Sequence, residues 1–399
     1  MKNILVTGAA GFLGKNLCAH LMRREDVILN QFDLDTPETA LRDFVGEADV
    51  IFHLAGVNRP KNVEGREQCD PQFFEKGNAG FTQTLVDLLE QAGRKPHIIV
   101  SSSTQAELDN PYGRSKRRGE TILEDWAQSC GSHCSLSIFR LTNLFGKWCR
   151  PNYNSVTATF CHNIANGLPI QISDPNHVFT LAYVDDVVDA FLKEMDEGRV
   201  QSSKCKVQSA NTLNSELCTL NSDSIPATTV TLGDLAARIR FFHDMPQTLM
   251  IPDMSDRFNQ QHYTTYLSYV PQELWSYSPP IGTDERGNLA ELVKSQTFGQ
   301  MFVSRTKPGI TRGNHYHHTK TEKFMVISGE AVIRFRHILG GEIIEFPVQG
   351  DDYRIVNIPP GYTHNITNVG TTELITLFWA SEIFYKTKPD TYFLPVEPS

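Results

Sequence analysis

The sequence predicts two folds in tandem: a doubly wound parallel α/β sheet over residues 1–245, then an all-β barrel over residues 281–399. Three observations carry this. A short apolar strand, Ile4-Leu5-Val6, opens onto a glycine-spaced loop, Gly8 to Gly14, and then a helical pattern from Lys15 to Arg24. Strands and helices alternate from there, the pattern of a parallel sheet covered on both faces. Far downstream, Gly309 to Gly329 holds three histidines in four positions, flanked by residues that alternate apolar and polar with the period of a strand.

Composition bounds the function. At 399 residues the chain has room for two or three domains, and 40% hydrophobic with 21% charged residues is an ordinary globular balance. A net charge of −9 argues against nucleic acid and anionic membrane as partners, while a local basic patch could still bind an anionic substrate. No apolar run has the eighteen or so residues of a membrane span. MKNILVTG reads as a strand opening on a loop, not a signal peptide, so the expected compartment is the cytoplasm. All eight cysteines precede the histidine cluster without CxxC spacing; they are expected to be mostly buried thiols, Cys130 and Cys134 included. A metal site would therefore be built from histidine and carboxylate.

The first loop reads Gly8-Ala9-Ala10-Gly11-Phe12-Leu13-Gly14. Between a strand and a helix, such glycines let the backbone approach a pyrophosphate, with the helix N-terminus facing its charge. The second strand, Val27 to Phe32, ends at Asp33, which would bond ribose hydroxyls and disfavour a 2′-phosphate, so the residues alone point to NADH. A third strand runs Val50 to His53 into Leu54-Ala55-Gly56, small residues able to wall the nucleotide, with His53 expected to be a packed residue and not a base. His97 to Val100 leads into Ser101-Ser102-Ser103-Thr104.

Nine residues past Ser103 stands Tyr112, with Lys116 one helical turn on. A nearby ammonium lowers a phenol's pKa and desolvation adds its own shifts, which would tune Tyr112 to exchange a proton with a sugar oxygen while a nicotinamide exchanges hydride with the carbon. Ser103 is best placed to orient the carbonyl. With TGAAGFLG, HLAG, SSST and YGRSK in order, residues 1–245 resemble the extended short-chain dehydrogenase/reductase family, which has a Rossmann-type sheet. The family's catalytic serine, tyrosine and lysine map to Ser103, Tyr112 and Lys116, the last two also touching the nicotinamide nucleotide. RLTNLFG resembles the family's turn into the substrate lobe. There Asn143, Lys147, Arg150 and Asn152 suit a uridine diphosphate, with Lys147 or Arg150 near phosphate. Relatives that dehydrate hexoses carry an Asp-Glu pair where this chain has Gln105-Ala106, so 4,6-dehydration is not expected.

Residues 198–229 are polar and rich in Ser, Thr and Asn, and a long mobile excursion is expected there. Helical periodicity returns with Leu232, Leu235, Ile239 and Phe242. Residues 246–280, with their prolines and aromatics, read as a packed connector.

In the last domain His315 and His317 would share one strand face, and Glu322 and His364 could complete a metal site suited to zinc, other divalent metals being possible. Gly309-x5-His315-x-His317-x4-Glu322-x6-Gly329 resembles the first cupin motif. Pro359-x-Gly361-x2-His364-x3-Asn368 resembles the second, with Tyr353 where its leading glycine usually stands and Gly350 three residues earlier. Tyr316, His318, Lys323 and Tyr362 are candidate acid-base groups beside the metal, and Tyr385 to Val396 could pack on the barrel or on a second subunit.

The whole length, including FGKWCRPNYNSV, TYLSY, KPGITRGNHYHHTK and PDTYFL, resembles the capsular-polysaccharide and O-antigen enzymes that fuse such a reductase to a cupin. That resemblance implies a substrate, UDP-2-acetamido-2,6-dideoxy-4-hexulose, epimerised at C3 by the cupin and reduced at C4 by the first domain. It also implies NADPH, against the reading of Asp33, and both nucleotides stay open. A homodimer is the expected assembly. The alternative is a reductase whose cupin is a structural or dimerising module.

Overall fold

The computed structural model describes residues 1–59, 62–63, 66–67, 71–130, 134–197, 216–220 and 225–398. The chain divides into two compact units, Met1–Ile239 with Gln261–Val270, and Arg240–Gln260 with Pro271–Ser399.

In the first unit, β1 (Lys2–Thr7), α1 (Phe12–Leu21), β2 (Val27–Phe32), α2 (Glu38–Glu47), β3 (Val50–His53), α3 (Phe81–Ala92), β4 (His97–Ser103), α4 (Pro111–Ser129) and β5 (Ser135–Leu141) alternate as expected. A small sheet follows, built from β6 (Asn143–Phe145) and β7 (Val178–Tyr183), with α5 (Val156–Ala165) between them and α6 (Val184–Glu197) after. The expected excursion lies largely outside the described residues. Where it is described, strands stand in place of loop: β8 (Glu216–Leu220) pairs in parallel with β5, and β9 (Ala227–Thr231) pairs antiparallel with β7. Thr and Val in the second of these favour extended backbone once a partner edge exists, which composition alone does not reveal.

The main sheet has the order β8-β5-β4-β3-β1-β2, parallel throughout. Its strands are apolar on both faces because helices cover both. Alternation along each strand sorts the two cores. Ile4, Val6, Val50, Phe52 and Ile99 pack with Leu17, Leu21, Val187 and Phe191, while Leu5, Ile51, Ile98 and Val100 pack with Leu41, Val45, Leu85, Leu123 and Trp126. The strand order reverses at β1, so the carboxyl ends of β1, β3 and β4 open on one crevice, where open sheets of this kind bind ligands.

The helix α7 (Leu232–Thr248) buries Leu232, Leu235, Ile239 and Phe242, the face its periodicity predicts. The residues expected to form a connector contain a further helix, α8 (Arg257–Leu267). Among the described residues no helix is long and apolar enough to cross a membrane.

The second unit is antiparallel. One sheet has the order β10 (Ile281–Asp284), β11 (Gly287–Ser295), β12 (Gly299–Thr306), β19 (Leu374–Ala380), β14 (Glu322–Ser328), β17 (Ile355–Ile358). The other has the order β16 (Ile344–Gln349), β15 (Glu330–His337), β18 (Tyr362–Asn368), β13 (Thr311–Tyr316), β20 (Tyr392–Phe393). Alternate residues of both sheets share one core, among them Phe324, Val326, Ile333, Phe335, Ile366 and Phe378. Tyr353 has a left-handed backbone, φ 44°. The conformation that glycine would supply is therefore kept although the residue is not glycine. The tail folds back on this unit through β20, which pairs with β13.

Candidate functional site

Two constellations emerge, one in each unit. The first gathers where β1, β3 and β4 end. Gly8 has φ +72°, and a Cβ there would lie 2.7 Å from the Ala55 amide nitrogen, so the glycine loop and the Leu54-Ala55-Gly56 turn touch backbone to backbone. A Cβ on Gly14 would meet the Gly8 carbonyl oxygen at 2.1 Å, which is why the helix can begin so close behind the loop. Gly11 is the N-cap of α1 and offers no side chain, and the first turn holds no acid, leaving its amides and positive dipole end for an anion. Phe12 and Leu13 form that first turn. Asp33 ends up against the loop: its Oδ2 accepts from Ala10 N at 2.7 Å and its Oδ1 from Leu34 N at 2.8 Å.

His53 is buried and bonded on both sides, Nδ1 to Thr7 Oγ1 at 2.9 Å and Nε2 to Thr82 Oγ1 at 3.0 Å. Burial, with Lys116 adding to it, pushes its pKa down to about 3. A histidine that stays neutral in the fold but takes a proton near pH 6.5 when unfolded gives stability that is full above about 6.5 and lost as pH falls towards 3. Urea titrations between pH 6 and 4 are expected to show that loss, about 1.4 kcal/mol per pH unit, and a His53→Asn variant to lack it.

Tyr112 and Lys116 sit in the first turns of α4. Asn110 caps that helix, its Oδ1 accepting from Gly113 N at 2.8 Å, with Pro111 at the first helical position. Gly113 permits a close approach: a Cβ there would lie 2.2 Å from the Gln105 carbonyl oxygen, in the turn that follows Ser103. Ser103 acts on Tyr112, and its Oγ accepts from Gln105 N at 3.2 Å. Lys116 is half-buried, its Nζ donating to Ser101 O at 2.7 Å. Of the influences expected on Tyr112, burial dominates. Burial raises the Tyr112 pKa, with Ser103 opposing it. Burial pushes Lys116 itself down to about 8, against the pull of Glu120.

Behind these groups lie residues that spacing did not single out. Asn78, in a π-helical segment (Lys76–Gly80) that runs into α3, bonds Ser115 Oγ at 2.9 Å and both backbone groups of Val57, tying α4 to the turn after β3. Glu120 is 2% exposed and takes hydrogen bonds from Ser102, Arg117 and Arg140. Burial raises its pKa, and Arg140 with Ser102 outweighs that, so the carboxylate stays charged one turn beyond Lys116. Glu120 at i+4 from Lys116 is the only trace of this in the sequence.

The four predicted substrate residues lie in and after β6. Lys147 is already engaged, its Nζ 2.6 and 2.8 Å from the two Asp185 oxygens. Arg150 is exposed, its guanidinium 5.1 Å from the centroid of the Tyr153 ring. Asn143 reaches the Thr180 carbonyl at 3.3 Å, and Asn152 bonds Thr159 and Asn163. Of the two candidate phosphate ligands, Arg150 is the one free of a carboxylate partner on the described contacts. Cys130 and Cys134, expected as thiols, are joined as a disulfide, because the helix end brings their Cα atoms within 5.6 Å; Cys18 and Cys161 are buried thiols.

The second constellation is the histidine cluster. His315 on β13 and His364 on β18 are direct cross-strand partners, and Glu322 opens β14 in the other sheet. With His317, their ligand atoms all lie within 4.8 Å of one another. Nε2 of His317 and of His364 each stand 3.3 Å from Glu322 Oε2, yet none of the three atoms has an aligned hydrogen bond. Buried polar atoms left so are costly, and three of them aimed at one point fit a cation between them. Burial drives the Glu322 pKa up, but His317 and His364 outweigh it and hold the carboxyl well below its usual range. Burial, with His364 adding to it, pushes His315 down to about 4. Imidazoles beside a carboxylate are the donor set that zinc and similar ions take.

Comparison with known proteins follows the same division. Residues 4–204 match the NAD dependent epimerase/dehydratase family, and residues 282–392 match the polysaccharide biosynthesis C-terminal domain. A Pseudomonas aeruginosa UDP-2-acetamido-2,6-beta-L-arabino-hexul-4-ose reductase is 41% identical over 98% of this chain and 97% of its own. The crystal structure of the capsular polysaccharide assembling protein CapF from Staphylococcus aureus is 42% identical, covers 99% of this chain and 100% of its own, and superposes with a TM-score of 0.83. A structure of CapF with the inhibitor 3-isopropenyl-tropolone is 39% identical over the same shares, with a TM-score of 0.80. The chain thus belongs to the NAD dependent epimerase/dehydratase family and carries a polysaccharide biosynthesis C-terminal domain.

Proposed function

We propose that the chain is a bifunctional enzyme of UDP-2-acetamido-2,6-dideoxy-4-hexulose, inverting C3 in its C-terminal domain and reducing the C4 ketone in its N-terminal one. The product on this reading is UDP-2-acetamido-2,6-dideoxy-L-talose, on the way to N-acetyl-L-fucosamine of a capsule or O-antigen. One observation carries it: the 41% match to a 4-ulose reductase spans 98% of the chain, so both constellations belong to one protein.

For reduction, Ser103 donates to the ketone oxygen and Tyr112 delivers the proton that oxygen needs as C4 becomes an alcohol. The nicotinamide, when bound, supplies the hydride. Lys116 restores the proton to Tyr112, and the glycine loop from Gly8 to Gly14, with Leu54, Ala55 and Gly56, holds the nucleotide. Arg150, with Lys147, Asn143 and Asn152, would hold the uridine diphosphate.

For inversion, a C3 proton beside a ketone is acidic because its electron pair delocalises onto oxygen. A divalent metal held by His315, His317, Glu322 and His364, zinc on the donor set, supplies Lewis-acid polarisation of that oxygen when bound. A side-chain base takes the proton, and return to the other face inverts the centre. Such an equilibrium gives mixtures, and hydride delivery at C4 draws off one epimer. Residues 1–245 and 281–399 are proposed as the two catalytic domains, the assembly as a cytoplasmic homodimer.

The cofactor is testable at Asp33. Its carboxylate is fixed by the Ala10 amide at the end of β2, where a 2′-phosphate would be repelled, whereas the resemblance favours NADPH. Removing that charge in Asp33→Ala is expected to raise kcat/KM for NADPH relative to NADH about tenfold or more, the effect of one partly screened charge. A ratio that does not move would place the 2′-position away from Asp33.

The proposal as a whole is tested by proton NMR of protein and 4-keto sugar nucleotide in D₂O without nicotinamide. Deuterium at C3, followed by C4 reduction once NADPH or NADH is added, is expected. C4 reduction without any prior C3 exchange would leave a reductase with a structural or dimerising C-terminal domain.

A further inference from the structure

The segment Pro389-Asp390-Thr391-Tyr392-Phe393-Leu394 has no part in either reaction as derived above. We infer that Asp390 is a positioning residue of the metal centre, holding the His317 ring and the turn between His317 and Glu322 in the arrangement a metal requires. The inference rests on reading the four-residue cluster as a metal site.

Asp390 acts through both its main chain and its side chain. Its carbonyl oxygen lies 2.6 Å from His317 Nδ1. A carbonyl can only accept, so Nδ1 carries the proton and Nε2 keeps its lone pair. That Nε2 is the atom standing 3.3 Å from Glu322 Oε2 in the cluster. Its carboxylate meanwhile accepts from His318 N at 3.1 Å, Thr319 N at 3.0 Å and Lys320 N at 2.9 Å, and from the Thr319 hydroxyl at 3.0 Å. Those amides line the turn that joins the second ligand to the third. One residue thus sets the tautomer of one ligand and the spacing between two. His364 has a weaker hold, its Nδ1 lying 3.4 Å from the Tyr362 carbonyl.

Asp390 is itself anchored on both sides. Lys320 Nζ donates to Pro389 O at 3.2 Å and to Thr391 Oγ1 at 2.9 Å. Beyond it, β20 pairs with the strand carrying His315, Leu394 N donates to Asn314 O at 2.9 Å, and Arg336 grips the carbonyls of Pro395 and Val396 at 2.8 and 2.7 Å. Val396 is fully buried. Asp390 has φ 34°, a left-handed value that aspartate tolerates better than most residues. Carbonyls and carboxylates one bond out from a ligating imidazole fix its orientation, and losing them typically lowers metal affinity 10–100-fold.

The test is competition between the full-length protein and a chromophoric chelator for zinc, in wild type, Asp390→Ala and Asp390→Asn. Asp390→Ala is expected to weaken zinc about 10–100-fold, and Asp390→Asn, which keeps one accepting oxygen, to weaken it less. The visible bands of the cobalt(II)-loaded protein should shift in Asp390→Ala, a change of ligand geometry that a loss of stability alone does not produce. Wild-type affinity with an unshifted cobalt spectrum in that variant would overturn the inference. Should neither variant fold, ¹⁵N NMR of the His317 ring in the wild-type apoprotein decides. A proton on Nδ1 supports the inference, and a proton on Nε2 sinks it. If wild type itself retains neither zinc nor cobalt, the metal reading falls and this inference with it, whereas intact wild-type binding with an indifferent Asp390→Ala removes the inference alone.

Discussion

Tyr112→Phe is expected to lower the rate of C4 reduction about 10²–10⁴-fold at saturating substrate, the range one positioned proton donor supplies. The aromatic ring would keep its edge contact with Phe74, 5.8 Å between centroids, so the change removes a proton and little packing. Most of the nucleotide binding should persist, because the glycine loop and the turn after β3 do not depend on the phenol. Single-turnover loss of nicotinamide fluorescence measures the step directly. Steady-state turnover across pH tests the lysine: with Lys116 at about 8, the return of a proton to Tyr112 between turnovers should fail as pH rises through that value, and the rate should fall with it. Burial holds the phenol itself protonated over that range, which suits a donor. A Tyr112→Phe enzyme that reduces at the wild-type rate would mean that the proton comes from elsewhere, and the assignment of this crevice would fail.

What could be read from the chain divides along a physical line. Features fixed by local spacing were legible: the glycine loop between strand and helix, Tyr112 and Lys116 one turn apart, His315 and His317 two apart on extended backbone. Each needs only the period of its own element. Features that depend on what the fold places opposite were not. Glu120 and Arg140 are twenty positions apart, and their pairing under Lys116 exists only because β5 lies beside β4. Asp390 reaches His317 across seventy-three positions. The sign of the Tyr112 shift followed burial, which no pairwise spacing reports. Strands β8 and β9 hid in a polar stretch because pairing with an existing edge, not hydrophobic alternation, makes them strands.

His364→Ala is the second change of large expected effect, and it acts on the other chemistry. Metal content by atomic absorption should fall sharply, because His364 is one of the four candidate donors and a water would have to take its place. Deuterium exchange at C3 should vanish with it. Reduction of a substrate already inverted at C3 should persist, since Ser103, Tyr112 and Lys116 lie in the other unit. The cluster's own electrostatics explain why the loss should be steep. His317 and His364 hold the buried Glu322 carboxyl below its usual range, and deleting one removes part of that support. A His364→Ala protein that loses its metal yet still exchanges C3 would uncouple the two, leaving the histidine cluster to hold the fold together and sending the search for the C3 base elsewhere in the molecule.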